Sequence, residues 1–249
     1  MRPCGARRTG SGRTAMPHRA IAIVAAMRRE LVPLLQSVQA DKVDGVELFE
    51  LDAAVVAIGG IGKKAAGRAT EVVIRYCRPE LVVSAGIAGA VSPKLKTGVV
   101  GRAREVIDVE SGVRYPADGG EWAVATASGI SSPAGKRDLA LKFGADVVDM
   151  ECAAVAEVAR EHGLEFAAVK AVADEADFDM PPMAAFVAED GRFQTGRFVS
   201  YVALRPKLWP AVNRLRKVTT TAAVNLSSAV THLMNEYSVS QWGENVPQA

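Results

Sequence analysis

Short apolar runs of strand length recur along this chain, and most of them lead into a glycine turn or a segment with helical spacing. Ala20–Ala25 reads as a buried strand, and Met27, Leu31, Leu34 and Leu35 after it share one helix face. Leu48–Leu51 and Ala53–Ile58 read as two strands separated by Asp52. Gly59-Gly60-Ile61-Gly62 then breaks the chain before a helix from Lys63 to Cys77, which Arg78-Pro79 stops. Leu81–Ser84 is another buried strand, running out into Ala85-Gly86-Ile87-Ala88-Gly89-Ala90, where two glycines let a ligand approach the backbone. Gly98–Val106, Glu121–Thr126, 145–148 and 166–172 supply further strands, with a helix between the last two. Such alternation constrains the chain to an α/β fold, a mixed, largely parallel sheet flanked by helices. From Asp177 to Arg197 the regularity stops in a proline-marked loop with Phe178, Met180, Met183 and Phe186, long enough for a lid or a contact between subunits; residues 198–234 return to helix.

At 249 residues with 49% hydrophobic content, one domain over 18–237 is expected, between a disordered basic segment at 1–17 and a loose tail at 238–249. Net charge is +2, and Arg2, Arg7, Arg8, Arg13 and Arg19 crowd the beginning, so nothing calls for a nucleic-acid partner. Cys4, Cys77 and Cys152 form neither a disulfide framework nor a metal spacing and suit a reducing cytoplasm. No apolar run approaches the roughly eighteen residues of a membrane span. His18, His162 and His232 lie in unrelated contexts, which argues against a metal centre or a Ser-His-Asp triad. Gly60-Ile61-Gly62 is a weak dinucleotide fingerprint, because it does not follow the first strand, and Lys63-Lys64 lacks the hydroxyl of a P-loop, so no cofactor is expected. That turn serves either helix–sheet packing or a ligand pocket wall.

Acid chemistry must therefore come from carboxylates. In Val147-Val148-Asp149-Met150-Glu151 two acids interrupt an apolar stretch where a strand turns into a helix. Glu151 is there either a binding carboxylate or an acid favoured by the helix macrodipole. Asp174 ends the run Phe166–Asp174 in the same way, and Glu30 follows the first strand at the carboxyl edge of the sheet.

Taken together, Ala25-Ala26-Met27-Arg28-Arg29-Glu30, Gly60-Ile61-Gly62-Lys63, Ala85-Gly86-Ile87-Ala88-Gly89, Asp149-Met150-Glu151 and Ala171-Val172-Ala173-Asp174 resemble the nucleoside phosphorylase and nucleosidase superfamily. The resemblance covers about residues 20–175 and is nearest the nucleosidase branch typified by methylthioadenosine/S-adenosylhomocysteine nucleosidase. It implies a three-layer α/β/α sandwich with a mixed, largely parallel, partly barrel-like sheet, in a homodimer or homotrimer. It further implies that Glu151 binds the ribose hydroxyls with Met150 packed on the sugar, that Asp174 is the general acid at purine N7, and that Glu30 activates water. Ala26, Gly86, Ile87, Gly129 and Ile130 would complete the substrate site. Ile87 stands where many relatives carry Ser, as in futalosine hydrolase-like and hopanoid-associated phosphorylase-like turns, and Ala173 replaces the serine before the acid. The expected activity is hydrolysis of a purine nucleoside, 5'-substituted, with no metal. The alternatives are phosphorolysis, for which Arg28, Arg29 and Arg68 are basic but sit in no phosphate motif and only Arg28 or Arg29 would serve as a clamp by turning inward, and a non-catalytic nucleoside-binding protein.

Overall fold

The structure, a computed structural model, describes residues 21–179, 183–188 and 191–243. β1 (Ile21–Ala25) leads into a 3-10 turn at Arg28–Leu31 and the four-residue α1 (Val32–Leu35), then a meander of β2 (Ala40–Val43), β3 (Val46–Glu50) and β4 (Ala54–Ile58). α2 (Lys63–Cys77) crosses to β5 (Leu81–Ala90), followed by β6 (Val100–Asp108), β7 (Arg114–Pro116) and β8 (Trp122–Thr126). α3 (Pro133–Phe143), β9 (Val147–Asp149), α4 (Cys152–Glu161) and β10 (Glu165–Asp174) come next, then α5 (Thr195–Ala203) and α6 (Trp209–Gly243).

β1 lies parallel to both β4 and β5, Ile23 facing Val56 on one side and Val83 on the other. On one side of β5 the sheet runs through β1, β4 and β3 to an open edge at β2. On the other it runs through β9, β8 and β6 to β10, and β10 pairs back onto β5. These five strands close into a small barrel, with antiparallel joints at β5–β9 and β6–β10 and parallel ones elsewhere in the ring. The fold is thus the mixed α/β architecture expected from sequence, barrel included.

Period-2 alternation assigns the layers. Ile21, Ile23 and Ala25 of β1 face α6 (Ala222, Leu226, Val230), whereas Ala22 and Val24 face α2 and α4 (Ala69, Val73, Val155). Phe49 and Leu226 are fully buried in the first of these cores, where truncation to Ala costs about 2–5 kcal/mol.

Some boundaries differ from the sequence reading. The single helix expected at Met27–Leu35 is a 3-10 turn followed by α1, because Pro33 starts a new helix instead of continuing one. β5 does not stop at Ser84 but continues through Gly86 and Gly89, since β10 supplies backbone partners along that length. α3 was not anticipated, although its signals are present: Ser132 accepts from the Gly135 N–H at 3.2 Å, Pro133 opens the helix and Gly144 ends it at φ 65°. No helix among the described residues is long and apolar enough to cross a membrane. The basic segment 1–17 and residues 244–249 of the tail lie outside the described residues.

Candidate active site

A cavity of about 640 Å³ opens at the carboxyl ends of β1, β4, β5 and β10. Open α/β sheets offer ligands this edge. Of the residues singled out from sequence, Ala26, Glu30, Ile87, Gly129, Ile130, Met150, Glu151 and Asp174 line it. Gly86 lies behind the wall, where a Cβ would stand 3.7 Å from both Glu30 Oε2 and Lys170 Nζ.

Glu30 sits in the 3-10 turn with its carboxylate turned inward, only 2% exposed, accepting from the Met27 N–H at 3.1 Å. Burial raises its pKa, opposed by that hydrogen bond and by the charges of Lys170 and Arg29. Glu151 opens α4 without capping it. Its carboxylate instead crosses to the turn after β4 and accepts from the Gly62 N–H at 2.7 Å. Gly62 adopts φ 95°, a conformation that L side chains rarely take, so the donor is aimed by a position suited to glycine. Burial and then the neighbouring Asp149 charge push the Glu151 carboxyl up to about 8, against the Gly62 bond.

The helix-start role that sequence left open for Glu151 belongs to Asp149, whose Oδ2 accepts from the Cys152 N–H at 3.0 Å. Asp149 also accepts from Thr126 Oγ1 at 2.8 Å and pairs with Lys170 at 2.8 Å, with side chains 0% and 2% exposed. Lys170 Nζ donates in addition to Ser84 Oγ at 3.0 Å. Burial disfavours the ammonium, but Asp149, together with Cys152 and Glu151, more than offsets it and holds the pKa above its ordinary value.

Asp174 carries a partner that sequence did not suggest: buried Lys136, from the first turns of α3, pairs with Oδ2 and donates to the Glu175 carbonyl at 2.8 Å. Burial raises the Asp174 pKa, and the Lys136 ammonium lowers it in part. Gly89 makes room for this pair, since a Cβ there would lie 3.0 Å from Asp174 Oδ2 and 3.3 Å from Lys136 Cε. The site therefore holds four acids and two lysines. Asp149 and Asp174 are ion-paired, whereas among the described residues Glu30 and Glu151 carry no salt bridge and both titrate high. One sequence signal for this frame exists: Lys170 interrupts the apolar run 166–173, where a charge requires a buried partner. Lys136 stands in a polar stretch and offers no comparable signal.

Met183, Val187 and Phe193 of the long loop, with Phe198 of α5 and Val212 and Leu215 of α6, give the rest of the cavity an apolar wall. Phe186 packs away from it, 5.3 Å from Phe198, and Phe178 lies under Arg214; Met180 is outside the described residues. The Gly59–Gly62 turn serves both purposes weighed from sequence. A Cβ at Gly59 would meet Ala69 Cβ at 2.7 Å, so this glycine permits helix–sheet contact, while Gly62 lines the cavity. Of the three arginines considered for phosphate, Arg28 lies over the Phe49 ring and Arg68 lies close to Gly45. Arg29 alone lines the cavity, 5.3 Å from the Phe193 ring centre.

A family model described as the phosphorylase superfamily matches residues 20–133 and 123–196. Among solved structures, futalosine hydrolase of Helicobacter pylori is similar at 20% identity over 86% of this chain and 98% of that one, with a TM-score of 0.63. A 5'-methylthioadenosine/S-adenosyl homocysteine nucleosidase of the same organism matches at 21% identity, 86% and 99% coverage and a TM-score of 0.64. The corresponding nucleosidase of Colwellia psychrerythraea matches at 17% identity, 90% and 98% coverage and 0.67. At these identities the likeness is one of fold.

Proposed function

The chain belongs to the phosphorylase superfamily, and from that premise we propose that it hydrolyses the N-glycosidic bond of a purine nucleoside bearing an apolar 5' substituent. The observation that carries this reading is the opening of Glu30, Glu151 and Asp174 onto one cavity, each with a carboxyl raised by burial. In its ionised form Glu151 accepts the ribose hydroxyls, with Met150 against the sugar. Water attacks C1' and passes its proton to Glu30 as the C1'–N9 bond breaks. The electron pair of that bond moves into the purine, and protonated Asp174 donates to N7, leaving a carboxylate that Lys136 pairs. Each proton transfer of this kind contributes about 10²–10⁴-fold.

Water is preferred to phosphate because Ile87 places no hydroxyl on the cavity wall and Lys170 is already held by Asp149 and Ser84. A phosphate dianion beside Glu30 would also meet like charge. The apolar wall from Met183 to Leu215 suits a hydrophobic 5' group, and the cavity falls in the roughly 300–1,000 Å³ range of small-molecule sites. The reading extends to a homodimer or homotrimer in the cytoplasm. Product analysis of a panel of 5'-substituted and plain purine nucleosides, with and without phosphate, tests it. Free sugar at a phosphate-independent rate is expected; a sugar 1-phosphate and a phosphate-dependent rate would overturn hydrolysis. Asp174→Asn should lose about 10²–10⁴-fold in base release with nucleoside binding kept, and unchanged turnover would remove Asp174 from the mechanism.

A further inference from the structure

Between Thr195 and Asn235 the chain carries six basic residues, Arg197, Arg205, Lys207, Arg214, Arg216 and Lys217, and no Asp or Glu, although its total net charge is only +2. Arg197 lies in α5, Arg205 just before and Lys207 within the turn Pro206–Leu208, and the other three in the first turns of α6. α5 takes its main packing from the turns at Ala184–Phe186 and Pro206–Leu208, with Phe198 buried against Phe186 and Phe193. Its other side and the following turn expose large apolar side chains: Val199 is 57% exposed, Leu204 80% and Trp209 50%. Arg197, Leu204 and Arg205 meet in one shallow groove, with Tyr201 beneath the Arg205 guanidinium at 3.7 Å. Among the described residues none of these cations makes a salt bridge, and exposed large apolar groups set among such cations are the composition of an element that lies in a membrane interface.

The same elements form one side of the cavity: Thr195 and Phe198 come from α5, and Val212, Leu215 and Arg216 from α6. We propose that α5 and the start of α6 dock on an anionic lipid surface, with Val199, Leu204 and Trp209 entering the headgroup region and Arg197, Arg205, Lys207, Arg214 and Lys217 on lipid phosphates. Charge selects this occupant. An isologous contact between two copies would set the cations of one patch against the same cations of the other. A nucleic acid would neutralise the charge but leave the apolar side chains in water, whereas a bilayer takes both. Docking also sets the cavity wall built by α5 and α6 beside the bilayer, from which a nucleoside with a long apolar 5' chain would enter. That last step rests on the proposed function; the docking does not.

The test is flotation of the full chain with phosphatidylcholine vesicles made with and without phosphatidylglycerol, beside hydrolysis of a water-soluble nucleoside. Binding should require phosphatidylglycerol and weaken as salt rises. Arg197→Glu combined with Lys207→Glu should lower it at least tenfold, each cation near such a surface contributing about fivefold. Leu204→Ser should lower it by about tenfold through lost apolar burial. All variants should keep the wild-type melting profile and hydrolysis rate. Absence of binding to anionic vesicles overturns the proposal. So does equal binding to single-stranded RNA with no effect of Leu204→Ser, which would mark a general polyanion surface. A dimer that Leu204→Ser dissociates, with vesicles unbound, would mark an interface between copies and overturn it as well. Vesicle binding without nucleoside cleavage would instead overturn the proposed function alone.

Discussion

Lys170→Met removes the cation that faces Asp149 at 2.8 Å, where the two side chains are 2% and 0% exposed. At an effective dielectric of about 20, unit charges at that separation attract by about 6 kcal/mol. Much of this is offset by desolvation of both ions, so the intact pair contributes far less than its Coulomb energy. Loss of one partner is different: Asp149 keeps its Thr126 and Cys152 donors but loses the charge that compensates its burial. The expected cost is about 3–5 kcal/mol. For a chain of this length that corresponds to a fall in Tm of about 6–20 °C. The cost depends on pH, because a buried carboxylate stripped of its cation takes up a proton. The folded variant then holds a proton that the unfolded chain releases above about pH 4, so its stability falls relative to wild type as pH rises, by up to about 1.4 kcal/mol per pH unit. Asp149→Asn in the same chain removes the orphaned charge and should recover most of the loss. Thermal and urea unfolding of wild type, both single variants and the double variant, at mildly acidic and mildly alkaline pH, supplies the cycle. A Lys170→Met protein within about 1 kcal/mol of wild type, a cost independent of pH, or simple additivity in the double variant would refute the reasoning.

Gly89→Ala drives a Cβ against the Asp174 carboxylate and Lys136 Cε; base release should fall about 10²-fold with nucleoside affinity nearly unchanged, as single-turnover and equilibrium binding measurements would show. Lys136→Met takes away the charge that lowers the Asp174 pKa, so an acid that must be protonated stays so to higher pH; the alkaline limb of the kcat profile should move upward, and a fixed limb would sever Asp174 from that limb. With Glu151 titrating near 8 and the ribose hydroxyls donating to its ionised form, binding should release a proton. Affinity should then rise as pH approaches that value and level off above it, and calorimetry in buffers of different ionisation enthalpy would detect the proton; Glu151→Gln should abolish both effects.

Where the signal is local, the sequence was sufficient. α2 spans Lys63–Cys77 as read, because a glycine turn precedes it and Arg78-Pro79 ends it. The alternation in β1 likewise sorts its residues between two helical layers before any contact is known. Short edge strands such as β2 and β7 were not legible, since Ala40–Val43 and Arg114–Pro116 are too brief and too exposed to carry a periodic pattern. The acids were visible as anomalies, and the family resemblance grouped Glu30, Glu151 and Asp174.

What neither pattern nor composition could state is which charge neutralises which. Glu151 and Asp149 are two residues apart and chemically alike, yet one turns to Gly62 and the other to Lys170. Those contacts join residues 89 and 21 positions apart, and Lys136 reaches Asp174 across 38. The two lysine contacts exist because β10 pairs with β5 and closes the five-stranded ring, and the Gly62 contact because β9, β5, β1 and β4 are successive neighbours in one sheet, so the ends of distant strands meet at one edge. Local periodicity thus determined the layers and the presence of buried acids. Only the tertiary pairing of strands decided which carboxylates are ion-paired and which, among the described residues, carry no salt bridge, because the free energy of a buried charge depends on neighbours that the chain brings together in three dimensions.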